Sequence, residues 1–241
     1  MLPGMTRTFI LLTLVVAAAT PSLAAERHYS VTDFDRIVVE GPFIVRLSTG
    51  RATSAVASGT PTALDRLAIV SNAQTLRIRR NRAYWGGNPG AQEGPVTIDL
   101  VTRNLRSVRI IGPASVDIDR VSGLRVELLV EGSGRLSAAN VAADNLGLGL
   151  AGSGRIELAG TAESLTADIQ GTGDVAAADL RVDNASITTT TTGRIALGVT
   201  RTADVNALGL GTIDIIGRAA CTRRGPNADL VRCDVAPLDQ R

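Results

Sequence analysis

The side chains through which this chain could do chemistry are few: one histidine, two cysteines, a close pair of aspartates and a close pair of aromatics. Asp117 and Asp119 stand two residues apart, a spacing that puts both on one face of a strand. Two carboxylates on one face are the elements of acid–base attack on a glycosidic bond. Their counterparts further along the chain are Ser137 with Ala139, then Glu157 with Ala159, so no acidic column builds up. A polysaccharide-acting lyase or hydrolase is therefore the alternative reading, and the first reading is a chain with no catalytic residues. His28 lies near the N-terminus, away from any Ser or Cys in a relay pattern. The two cysteines have no C-x-x-C spacing, so neither a metal nor a cofactor is expected. Gly147 to Gly152 reads G-x-G-x-x-G, but it falls inside a strand pattern and not at a strand-to-helix turn, which argues against nucleotide binding.

The elements that must hold these groups are limited by composition. The chain has 241 residues, 44% hydrophobic and only 2% aromatic. Its core must come from Ala, Val, Leu and Ile, and β-branched residues with 25 glycines favour strands and turns. All 25 of the basic Lys+Arg residues are arginine, against 23 acidic residues, a formal charge of +2. No basic block stands out, so nucleic acid is not an expected partner.

Residues 1–24 read as a signal peptide. Arg7 supplies the positive start, Phe9 to Ala19 is an apolar run of secretory length, and Ser22-Leu23-Ala24 fits a small-x-small cleavage site. No second apolar run follows, so the mature chain is expected to carry no transmembrane segment. Export permits disulfides, and Cys221 with Cys233 is the one intrachain pair available.

From Gly112 the chain repeats. Turns of Gly-x-Gly type begin at Gly112, Gly132, Gly152, Gly171, Thr191 and Gly209, spaced 20, 20, 19, 20 and 18 residues apart. Four residues after each start come Val116, Leu136, Ile156, Val175, Ile195 and Ile213. Two further on come Ile118, Ala138, Leu158, Ala177, Leu197 and Ile215. The residues between them vary, which is the period-two alternation of a half-buried strand. A second alternating run includes Leu124-Val126-Leu128-Val130, Leu146-Leu148-Leu150 and Leu165-Ala167-Ile169. Short strands of this kind bury a face only by stacking each repeat on its neighbour. The fold class read from the sequence is all-β: a parallel, right-handed β-helix or solenoid of ~20-residue coils.

The division expected is a β segment over 25–107 that caps the stack, solenoid coils over 108–218, and a C-terminal cap over 219–241 pinned by Cys221–Cys233. In the first segment, Phe34 to Val39, Phe43 to Leu47, Thr53 to Ala57 and Leu76 to Arg79 read as strands, and Pro61 to Leu67 as one helical turn. Arg79, Arg80 and Arg82 precede a Gly/Pro-rich stretch holding Tyr84 and Trp85. With aromatics so scarce, Tyr84 and Trp85 are the candidate ligand contact, through ring stacking on a sugar or a partner. Thr188 to Thr192 is a threonine run confined to one coil, read as strand-forming residues and not as a repeated binding array.

The opening FDRIVVEGPFIVRLSTG, with GSGRLSAANVAADNLGLGLAGSGRIELAG and QGTGDV, resembles the bacterial auto-transporter adhesin head, GIN-domain family. The resemblance runs from about Phe34 to about Gly217. It implies an exported, envelope or secreted β-helical protein and, through the family's description, adhesion; it brings no catalytic residues. The expected function is a periplasmic or cell-surface, non-enzymatic β-solenoid that binds a glycan, a surface protein or an envelope protein, or serves as scaffold.

Overall fold

The computed structural model describes residues 25–81 and 94–235. The expected signal peptide, together with Arg82, Tyr84 and Trp85, lies outside the described residues.

The chain begins with β1 (Ala25–Tyr29), β2 (Arg36–Glu40), β3 (Phe43–Thr49) and β4 (Ser54–Gly59). One short helix follows, α1 (Pro61–Asp65). Thr60 caps it by accepting from the Ala63 N–H, with proline at the start of the first turn. Then come β5 (Leu67–Asn72), β6 (Thr75–Arg80), β7 (Val96–Thr102), β8 (Ser107–Ile111) and β9 (Ser115–Ile118). The repeating part continues with β10 (Val121–Gly132), β11 (Arg135–Gly152), β12 (Arg155–Gly171), β13 (Asp174–Thr191) and β14 (Ile195–Ala207). It ends with β15 (Ile213–Ile216), β16 (Ala220–Arg224) and β17 (Val231–Val235). In β11, β12 and β13 the two short strands expected per coil run together as one bent strand of 17 or 18 residues.

Each coil pairs in parallel with the next, in the register that the repeat requires. Val116 lies on Leu136, Leu136 on Ile156, Ile156 on Val175, Val175 on Ile195 and Ile195 on Ile213. The column continues past both ends of the repeat: Val45 lies between Ile98 and Val116, and Val231 lies beyond Ile213. None of these nine side chains is more than 2% exposed. A second column runs Leu76, Ile37, Val108, Leu128, Leu148, Ala167, Ile187, Val205, and all of these side chains are buried as well. At about 1.5–3 kcal/mol per large aliphatic side chain removed from water, such columns are the main favourable term for a chain without aromatic packing. Leu124, read as the first member of an inward run, instead stands 77% exposed at the start of that coil's second flank.

The N-terminal segment is mixed. Strands β2 and β3 are parallel to β8 and β9, and β6 and β7 are parallel to β2 and β3 on the other side. These four strands extend the stack by two coils, with the later pair, β6 and β7, stacked outside the earlier one. Strands β4, β5 and β1 add antiparallel pairs at this end: β4 with β7, β5 with β6, and β1 with β4. They occupy backbone groups that an open end would present for aggregation. At the other end, Cys221 on β16 is bonded to Cys233 on β17.

The corners explain the glycines. Gly152 has φ +125°, where a side chain is strained, and it stacks on Gly132 and under Gly171, both also at positive φ. The second glycine of each turn serves closeness instead. A Cβ on Gly173 would sit 2.3 Å from the Gly154 carbonyl oxygen. Thr191, in the first-glycine position of its coil, keeps its side chain inside and accepts from the Gly193 N–H at 3.0 Å. Thr189 points inward as well, so the threonine run alternates like any other strand of the stack.

Candidate functional site

Successive side chains on one strand face opposite ways, so each inward column has outward neighbours. On the flank built by β6, β2, β8, β10 and β11 these outward positions form a groove of about 820 Å³, crossing the strands along the stack. Arg36 on β2, Arg106 just before β8, and Arg109 on β8 line it, with Arg125, Glu127 and Leu129 on β10. It continues into a smaller hollow, of about 270 Å³, over Gly147 of β11 and Ser164 and Thr166 of β12, sharing Arg125, Glu127 and Asn145.

Bare backbone opens the groove. Gly147 lies in register between Glu127 and Thr166, and Gly149 between Leu129 and Asp168. A Cβ on Gly149 would meet the Leu129 side chain at 2.5 Å, so Leu129 occupies the space that residue 149 leaves free. With Leu124 it gives the groove an apolar strip among polar walls.

The charges are unevenly neutralised. Arg106 pairs with Asp35 at 2.7 Å, and Arg36 approaches the same carboxylate at 3.8 Å. Arg109 pairs with Glu131 at 3.0 Å. The Arg125 side chain has no ion pair or hydrogen bond among the described residues. Below Arg125 the same corner continues as Asn145, Ser164, Asn184 and Thr202 in register. Ser164 donates to Asn145 at 2.9 Å, and Thr202 donates to Asn184 at 2.7 Å. Arginine thus gives way to a self-satisfied polar ladder as the stack proceeds.

The sequence reading missed this groove. Its only trace in sequence is an arginine just ahead of the buried run in early coils (Arg36, Arg106, Arg125), replaced later by Asn or Ser. The aspartate pair resolves differently. Asp117 stands on the outer face of β9, in register with Arg46 and Ser137. Asp119 follows the end of β9, where its carboxylate accepts from the backbone N–H of Thr49 at 3.0 Å and from that of Arg120. It serves as a clasp between coils, and Thr49, Arg103 and Asn140 line a polar hollow of about 390 Å³ around it. Cys221 and Cys233 are joined as expected. Among the described residues no three His, Cys, Asp or Glu side chains gather as a metal site, and no helix is long and apolar enough to cross a membrane.

The family described as "Putative auto-transporter adhesin, head GIN domain" matches residues 33–219. No curated protein matches the chain. Among solved structures, a "putative lipid binding protein" from Parabacteroides distasonis is 21% identical with a TM-score of 0.65, covering 89% of this chain and 95% of that one. A "putative adhesin" from the same species is 18% identical with a TM-score of 0.66, covering 85% and 94%. A further "putative adhesin", from Bacteroides fragilis, is 17% identical with a TM-score of 0.65, covering 84% and 96%. At these identities the likeness is one of fold.

Proposed function

This chain belongs to the family of the auto-transporter adhesin head GIN domain, and on that premise we propose that it is an exported, non-enzymatic binding module. The observation that carries this reading is the open groove over Gly147, rimmed by Arg36, Arg109 and Arg125 and floored by rigidly stacked strands. A stack whose interior columns are filled deforms little, so a ligand meets a preformed surface and little ordering cost is incurred on binding. The disulfide and the segment 1–24 support export, to the periplasm or the cell surface. Tyr84 and Trp85 remain a second proposed contact, on the strength of aromatic stacking alone.

The polysaccharide-cleaving alternative loses its main support, because the Asp119 carboxylate is already engaged with backbone N–H groups. The words "lipid binding" attached to one relative name another class of ligand, but the buried columns leave little space for an acyl chain.

Protease accessibility of the protein on intact and on permeabilised cells tests the proposal. Cleavage on intact cells, together with attachment of the purified protein to cells or matrix, supports surface binding. Protection until permeabilisation together with no attachment overturns adhesion.

A further inference from the structure

The groove on the β2–β8–β10 flank has a chemistry that narrows its ligand. We propose that it takes an acidic polysaccharide laid along the solenoid axis, with carboxylates on the guanidinium groups of Arg36 and Arg125. This rests on the binding reading above and adds the class of ligand.

Direction comes first. The lining residues come from six neighbouring strands, β6, β2, β8, β10, β11 and β12. Neighbouring strands lie about 4.8 Å apart, so the groove runs about 24 Å across them. That length suits a chain of several sugar units, not a single small molecule.

Charge comes second. Arginine presents a planar fork of donors that matches carboxylate and sulfate. Arg125 has no partner of its own among the described residues. Arg36 holds Asp35 only at 3.8 Å, and that carboxylate is already taken by Arg106 at 2.7 Å. Two guanidinium groups, on β2 and β10, are thus available to an incoming anion.

Shape comes third. Leu124 and Leu129 offer apolar surface of the size that the C–H face of a sugar ring covers. Among the described lining residues there is no aromatic side chain on which nucleic-acid bases would stack. The groove is open and polar-walled, not an enclosed apolar cavity of the kind that holds acyl chains.

The test is titration of the exported protein with polygalacturonate, with neutral dextran, phosphatidylglycerol vesicles and single-stranded DNA run in parallel. We expect saturable, salt-sensitive binding to polygalacturonate and none to dextran. Arg36→Ala and Arg125→Ala should each weaken it about tenfold, the scale of one charge-assisted hydrogen bond. Gly147→Leu should block it with no change in charge. The φ of Gly147 is not in the left-handed region, and a Cβ there would meet its nearest neighbour at an ordinary 3.7 Å, so the backbone accepts a side chain, and a melting curve matching the parent's checks that the variant is folded. Arg155→Ala, which removes the same charge from another flank, should leave binding intact.

Equal weakening by Arg155→Ala, or tighter binding to vesicles or DNA than to polygalacturonate, overturns the proposal. Attachment to cells without binding to polygalacturonate overturns the ligand class and leaves the binding reading standing. Loss of both removes both.

Discussion

The guanidinium of Arg232 holds the carboxylate of Asp214 through two bonds, 2.6 Å from Nε and 2.7 Å from Nη2. The two residues are register partners on β17 and β15, so the last strand is locked to the stack by a forked ion pair. Asp214 is only 8% exposed, whereas its counterparts in the two preceding coils, Ala196 and Ala176, carry no charge.

Removing one partner should therefore be worse than removing both. Arg232→Ala leaves a buried carboxylate unpaired, and thermal unfolding should move to lower temperature. Asp214→Ala in that background should recover most of the loss. Hydrogen bonding to Asp214 raises the Arg232 pKa above the ordinary arginine value. A raised pKa means the arginine's share of stability is complete below the unfolded-state value and is lost as pH rises past the arginine range. Melting curves between pH 6 and 9 should show no titration of this arginine.

Gly173→Ala should cost about 1–3 kcal/mol or more in urea unfolding, because the added methyl meets the backbone of Gly154, which cannot rotate away. Thr172→Ala, at the exposed tip of the same turn, should lie within about 0.5 kcal/mol of the parent. Equal effects would show that the corner tolerates a wider spacing than the stack now has.

The Cys221–Cys233 bridge closes a loop of sequence separation 12 at the terminal coil. On the chain-entropy account its loss costs about 3 kcal/mol. Cys221→Ser with Cys233→Ser should expose β16 and β17 to protease first, while fragments ending near Ala207 resist. Uniform digestion would mean that the bridge holds the whole stack.

Trp85→Ala should weaken attachment to cells or matrix if the aromatic stretch is a contact. A quantitative adhesion assay beside Arg125→Ala separates the two surfaces. An unchanged Trp85→Ala removes the aromatic contact and leaves the groove.

Much of the fold is legible in the chain because the physics of a stacked coil is local and repeated. The positions four residues after each turn are branched and apolar, and they proved to be one column. The groove was less legible. Arg36, Arg106, Arg109 and Arg125 look like ordinary solvated arginines until register sets three strands side by side. Leu124 shows the opposite error, where alternation alone suggested an inward residue at a corner that turns outward.

By itself the sequence determined the coil length, the inward faces, the corner glycines and the cysteine pair, since the first three follow from period-two alternation or from the needs of a turn and the last from there being only two cysteines. Only the tertiary structure decided neighbours. Val39 lies between Ile78 and Ile110, with the later strand β6 stacked outside the earlier β2. Alternation states which face is buried but not which strand lies alongside, because any apolar strand of matching length satisfies a column. The order of the first coils, and with it the wall of arginines, is fixed by backbone pairing and the reach of the connecting loops.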